Sequence, residues 1–113
     1  MSRRRFDQAV LRMRGDDPRA RGDGFDFLRE HADAYADELI AEFAAERDDH
    51  DLRRLLLELI AEARAPRAFL LLRDELRNTD EALRFWAARG LEMLDTREAD
   101  DVLDRARADG WID

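Results

Sequence analysis

Two stretches of the chain carry the same apolar pattern 31 residues apart. Leu52, Leu55, Leu56, Leu59, Ile60 and Ala63 stand at spacings of 0, 3, 4, 7, 8 and 11, and Leu83, Trp86, Ala87, Gly90, Leu91 and Leu94 repeat those spacings. Steps of three and four gather apolar residues on one side of an α-helix. A period of about 30 residues implies helical hairpins, each of which hides its apolar side only against a neighbour.

The match extends past one helix. Ala68, Leu71 and Leu72 correspond to Ala99, Val102 and Leu103 at the same offset, with Glu75 against Ala106. Asp49 matches Asp80 and Arg53 matches Arg84, each Asp four residues ahead of its Arg, a spacing that favours an ion pair on a helix surface. A worn third copy lies upstream. Ala36, Leu39, Ile40 and Phe43 match Ala68, Leu71, Leu72 and Glu75 at an offset of 32, with Phe27, Leu28 and His31 on the partner helix. Phe6, Val10 and Met13 form one more short stripe, suited to covering the end of the stack.

The run from Asp80 through Leu94, with its Asp, Leu83-Arg84, Ala87-Ala88, Gly90-Leu91, resembles a HEAT-type repeat of the short variety first noted in phycobilisome lyases. Asp95 through Leu103 resembles that family's turn and second helix, and Asp49 to Leu72 keeps the Leu-Arg step. The resemblance covers residues 24 to 108, most strongly from 49 onward. It implies an all-α fold: a right-handed α-α superhelix of about three HEAT-like hairpins with an extra N-terminal helix. It also implies a charge ladder between repeats through Arg53 and Arg84, a structural role. Such repeats serve scaffolds, inhibitors and some enzymes alike.

The expected layout is a single domain: an N-terminal helix and loop over 1–23, a degenerate repeat over 24–48, repeats over 49–78 and 79–109, and a tail over 110–113. Helices are predicted near 3–14, 24–31, 33–47, 50–64, 66–77, 80–94 and 96–108, with one continuous helix over 24–47 as an alternative. Gly15 to Asp23 is predicted as a mobile loop. Pro66 suits a first helical position, where its missing N–H costs nothing. Asn78 with Glu81, and Asp95 with Glu98, have capping-box spacing.

Composition narrows the chemistry. The 113 residues include no cysteine, which removes disulfides, thiolate nucleophiles and Cys-ligated zinc. Arg3-Arg4-Arg5 are followed by Asp7 rather than an apolar run, so no secretory signal or membrane span is expected, and the expected location is cytoplasmic. All 20 basic residues are arginine, read as a genome-level bias. Arg64, Arg67, Arg73 and Arg77 form a local basic patch, but a net charge of −8 opposes binding to a phosphate backbone, and no nucleic-acid partner is expected.

Candidate chemical groups are few. His31, near Asp33, Asp37 and Glu38, matches no metal-ligand spacing and reads as a packed histidine. His50 sits in an acidic helix start. Ser2, Thr79 and Thr96 build no triad, since a helix-cap role explains both threonines, and Gly15, Gly22 and Gly24 form no phosphate loop. No catalytic residue, cofactor or metal is assigned. Glu58, Glu62 and Glu75 lie on or beside faces where a helical stack binds its ligands, and together with Trp86 and Trp111 they are the candidate partner-binding residues. Asp49, Arg53, Asp80, Arg84, Pro66 and Gly90 are the structural repeat positions.

The resulting expectation is a non-catalytic scaffold that binds a basic protein through an acidic helical surface, as an adaptor, inhibitor or immunity-type protein. The alternative, taken from the resemblance, is a bilin-lyase-like or other small-ligand protein with an apolar cleft joining Glu58 or Glu62 to Trp86. Monomer and homodimer both stay open. The layering has a direct consequence: replacing Leu59 or Leu91 with Ala costs about 2–5 kcal/mol in urea denaturation if both are core. A loss of only a few tenths would mean that the apolar stripes do not face each other.

Overall fold

A computed structural model of the chain describes residues 3–113. The described residues form seven α-helices and no strand: α1 (Arg3–Arg14), α2 (Pro18–Glu30), α3 (Ala36–Ala45), α4 (His50–Ala63), α5 (Phe69–Glu75), α6 (Glu81–Leu94) and α7 (Arg97–Ala108). A single 3-10 turn, Pro66–Ala68, leads into α5, with Pro66 at its first position as the sequence implies. No helix among the described residues is long and apolar enough to cross a membrane.

Helix α4 is the hub. It packs against α2, α3 and α6, while α6 also packs on α5 and α7, and α1 lies along α2. Leu52, Leu56, Leu57, Leu59, Ile60 and Ala61 of α4 are all buried, a wider apolar arc than one neighbour requires. Leu56, Leu59, Leu72, Leu91 and Leu103 share one core, and Phe6, Val10 and Met13 of α1 extend it.

The 31-residue offset holds for the backbone as well as for the side chains. Asp49 and Asp80 are both N-caps: Asp49 Oδ1 accepts from Leu52 N at 3.0 Å, and Asp80 Oδ1 from Ala82 N at 2.9 Å. At the other ends of α4 and α6, Arg64 and Asp95 are the only described non-glycine residues with positive φ, at 50° and 54°. Arg53 and Arg84 also act alike, but not as i,i+4 ion-pair partners. Arg84 Nη1 donates to the carbonyls of Asn78 (2.8 Å) and Thr79 (3.1 Å). Arg53 Nη1 donates to those of Phe43 and Glu46, and its guanidinium stacks 4.1 Å from the Phe43 ring centroid. Each arginine therefore reaches back to carbonyls of the segment that precedes its own helix, the end of α3 for Arg53 and the α5–α6 linker for Arg84, while each aspartate is occupied by its own cap. Among the described residues no ion pair joins Asp49 to Arg53 or Asp80 to Arg84.

The predicted loop over 15–23 ends early, because Asp17 caps α2 through Arg19 N and Pro18 takes its first position. Residues 24–47 belong to two helices, as the helix-by-helix reading has it and not the continuous alternative, with a turn over 31–35 and a restart at Ala36. The cap of α6 is Asp80, not Asn78 or Thr79, whereas α7 is capped by Thr96 as its threonine suggests and not by Asp95; Thr96 Oγ1 accepts from Ala99 N at 3.1 Å. Burial also re-registers the worn copy. Leu39 and Phe43 are fully buried and Ile40 only half, so they align with buried Leu72 and Leu76 at an offset of 33.

Ion pairs tie the first helix to the third. Arg14, at the end of α1, bonds Glu42 at 3.0 Å and also Glu46, which accepts the N–H groups of Asp48 and Asp49 at 3.1 Å each. The Arg14 guanidinium, with those two N–H groups behind it, holds the Glu46 carboxyl down to about 2.

Two glycines of α2 have opposite roles. A Cβ on Gly24 would lie 2.5 Å from the Ala9 carbonyl oxygen, where α1 and α2 pass backbone to backbone, whereas one on Gly22 would meet nothing within 4 Å. Gly22→Ala is therefore expected to stabilise the protein by up to about 1 kcal/mol through helix propensity. Gly24→Ala is expected to cost about 1–3 kcal/mol despite the same gain. Chemical denaturation of the two variants checks the pair, and equal effects would contradict the close helix crossing.

Candidate partner-binding surface

Glu58 and Glu62 lie one turn apart on α4, both half-buried. Arg29, from the last turn of α2, approaches Glu62 at 3.9 Å. Burial is the main cause that raises the Glu58 carboxyl above the ordinary glutamate range; Arg29 pulls it back, and the Glu62 charge pushes it further up. Helical geometry puts Leu55 on the same side of α4 as this pair. Its match on the neighbouring α6 is Trp86, also half-buried, with its ring edge-on to Phe85 at 5.0 Å. Glu58 and Glu62 thus share one side of α4, and Trp86 stands at the matching position of α6.

Glu75 does not join them. It accepts from Asn78 Nδ2 at 2.8 Å and lies 3.8 Å from Arg53 Nη2. Arg53 points away from Glu58 and Glu62 around the α4 axis, so Glu75 is placed on the far side of that helix. Its carboxylate completes the arginine's contacts within the fold.

Trp111 follows α7 and is held by backbone chemistry. Gly110, at φ 83°, turns the chain after α7. Trp111 N then bonds Ala106 O at 2.9 Å and Gly110 N bonds Arg107 O at 3.1 Å, the two bonds of a Schellman motif. The indole stays 40% exposed while Ile112 packs partly on the core, so the tail folds back without covering its tryptophan.

Clefts flank that indole on both sides. One, of about 500 Å³ between α5 and α7, is lined by Leu76, Val102, Trp111, Arg73, Arg77 and Arg105, with Asp74, Asp101 and Asp109 among its other walls. The second, of about 630 Å³ on the outer side of α6, holds Phe85, Ala88, Trp111 and Ile112, ringed by Arg84, Arg89 and Arg107 and by Glu81, Glu92 and Asp113. Smaller clefts lie beside Arg5 and Arg12 of α1 and beside Arg53 and Glu75. None of these four clefts is lined by Glu58, Glu62 or Trp86.

The remaining candidates are accounted for by packing. His31 closes the C-terminal end of α2 through its N–H to Phe27 O at 3.3 Å, and its ring stacks 4.8 Å from Phe27. No group of His, Asp and Glu among the described residues is placed to hold a metal ion. Gly90 is a contact position, where a Cβ would stand 2.9 Å from a Leu72 methyl and 3.2 Å from Ala61 Cβ. The basic patch is partly neutralised, since Arg67 pairs with Asp37 and Arg73 with Asp74.

Phe85 is the residue that sequence reasoning overlooked. It is 59% exposed and stands at the position matched by Arg54, so the repeat itself marks it: a phenylalanine where the sister copy has a solvated arginine.

No family model matches the chain, and neither a curated protein nor a solved structure matches it.

The raised Glu58 has a measurable consequence. A glutamate whose folded-state titration lies above its unfolded one opposes folding when ionised, and that cost disappears as pH falls through the folded value. Glu58→Gln is expected to raise the urea midpoint at pH 7, and the gain is expected to fade on acidification as the wild-type carboxyl becomes neutral. A pH-independent gain would trace the effect to packing instead of charge.

Proposed function

We propose that the protein is a non-catalytic, HEAT-like helical scaffold that holds a basic protein partner on the acidic side of its α4–α6 layer, in an adaptor, inhibitor or immunity-type role. The observation that carries this reading is the Glu58–Glu62 pair. Burial, with the Glu62 charge one turn away, leaves the half-buried Glu58 carboxyl raised even though Arg29 and Arg54 both pull it down, so its charge is only partly compensated. A lysine or arginine from a partner supplies the rest, and half-buried Trp86 gives the contact an aromatic neighbour. The net charge of −8 steers basic proteins toward the chain and repels acidic ones. The repeat reading rests on the 31-residue offset, which covers caps, left-handed residues and carbonyl-binding arginines as well as apolar stripes.

The test is capture from the native host on immobilised protein, with mass spectrometry of what binds. The expected outcome is a stoichiometric basic protein that is released as salt rises and is lost when Glu58 and Glu62 are both changed to Gln. Binding should also weaken on acidification through the Glu58 titration. Recovery of nothing basic, or capture indifferent to the double substitution, would sink the proposal, and a coloured small molecule in the eluate would favour a lyase-like role.

A further inference from the structure

The outer side of α6 occupies, one repeat later, the place of a side that is covered in α4. Leu57 and Ala61 of α4 are buried, with Ala61 directly under Gly90 of α6. Their matches 31 residues on are Ala88 and Glu92, and the match of Arg54 is Phe85. Phe85, Ala88 and Glu92 stand at i, i+3 and i+7, one stripe of a helix. Within the described residues no helix lies over it, and it forms the wall of the 630 Å³ cleft that also holds Trp111 and Ile112. Phe85, at 59% exposure, and Trp111, at 40%, are two of the four large apolar side chains that the described residues leave exposed.

We propose that this end face is the docking surface for a second copy of the chain, with α6 packed antiparallel on α6 about a two-fold axis. Charge selects that occupant. The cleft's three arginines and three carboxylates cancel, on a chain whose net charge is −8. A basic partner gains nothing from a neutral patch, and a second acidic copy is repelled by most of the rest of the surface but not here. The pattern is also self-complementary. A crossing at Ala88 uses the smallest side chain of the stripe for the close approach. It brings Arg84 level with the partner's Glu92, each four residues from the axis. Phe85 and Trp111 of both copies then supply the aromatic anchors that interface centres favour. A two-fold contact uses the patch up on both copies, so assembly stops at the dimer.

Sedimentation velocity over a wide concentration range at physiological salt tests this. The full chain is expected to shift with concentration from one chain mass, 13.2 kDa, to twice that value. Phe85→Arg restores the residue type found at the matched Arg54, and Ala88→Glu blocks the crossing. Each is expected to weaken association at least about tenfold while circular dichroism stays unchanged. Leu11→Gln, at another exposed apolar side chain on α1, is expected to leave association as it was. In a Trp86→Phe background, Trp111 emission should move to shorter wavelength as the dimer forms. A single-chain mass at every concentration would overturn the proposal. So would a dimer that survives both α6 substitutions, or an open series of larger species, which a closed two-fold contact forbids.

Discussion

Everything else in the molecule depends on α4 being buried along more than one side. A surface helix needs one apolar stripe, but α4 meets α2 and α3 on one flank and α6 on another. Leu56, Leu57, Leu59, Ile60 and Ala61 therefore form nearly continuous apolar sequence, leaving Asp51 and Arg54 to solvent. The heavy run Leu55-Leu56-Leu57 follows from that position: the central layer must feed both neighbours, whereas α6, at the end, substitutes Trp86-Ala87-Ala88. The small residues of α6 complement the large ones of α4. Gly90 comes down over Ala61 of α4 and the methyls of Leu72 of α5, where a Cβ would stand only 2.9–3.2 Å from them, so the helices approach closely there.

Helix ends impose a second constraint, and the chain meets it with charged side chains. A helix leaves carbonyls unpaired at its C-terminus and N–H groups unpaired at its N-terminus. Asp49 and Asp80 serve the second need; one turn later Arg53 reaches carbonyls at the end of α3, and Arg84 reaches carbonyls of the linker between α5 and α6. Asp and Arg at i,i+4 thus tie the start of a helix to the segment before it rather than pairing with each other. Spacing alone does not distinguish these outcomes, because an exposed pair contributes a few tenths of a kcal/mol and a satisfied cap contributes about 1 kcal/mol. Glu75 and Phe43 complete the setting of Arg53, which explains why a carboxylate in the binding-face list serves the fold.

The core was legible because periodicity is a property of many residues at once. All of Leu56, Leu59, Leu72, Leu91 and Leu103 were recoverable from spacing, and all are buried. What escaped was decided by single residues. Asp17-Pro18 starts a helix by the same rule that Pro66 obeys, but Gly22 and Gly24 nearby read as loop. Only the packing of α1 shows that Gly24 is there for a helix crossing while Gly22 is free. The worn repeat slipped by one residue because Leu39-Ile40 and Leu71-Leu72 are doublets, and either member of a doublet satisfies the pattern. The surface candidates were less legible still: a glutamate beside an apolar stripe can face a partner, as proposed for Glu58, or an arginine of its own fold, as Glu75 does.

Acidity and the proposed repeat architecture place opposite demands on an uncovered helix side. A repeating helical unit carries a side shaped for the next unit, and within the described residues no helix covers that side of α6. One remedy is to make it polar, and Glu92 in place of the Ala61 position moves in that direction. The chain undoes that remedy at Phe85 and brings Trp111 back to the same cleft through a glycine turn and two backbone hydrogen bonds. Both changes add aromatic surface while the surrounding charges stay balanced. On a molecule with a net charge of −8, local neutrality has a directional effect. Long-range repulsion disfavours most encounters between two copies, and the encounters it opposes least are those in which these two end faces meet. The carboxylates at Glu58 and Glu62 remain outside that cleft, so the proposed self-association and the proposed capture of a basic partner call on separate surfaces of the same small fold.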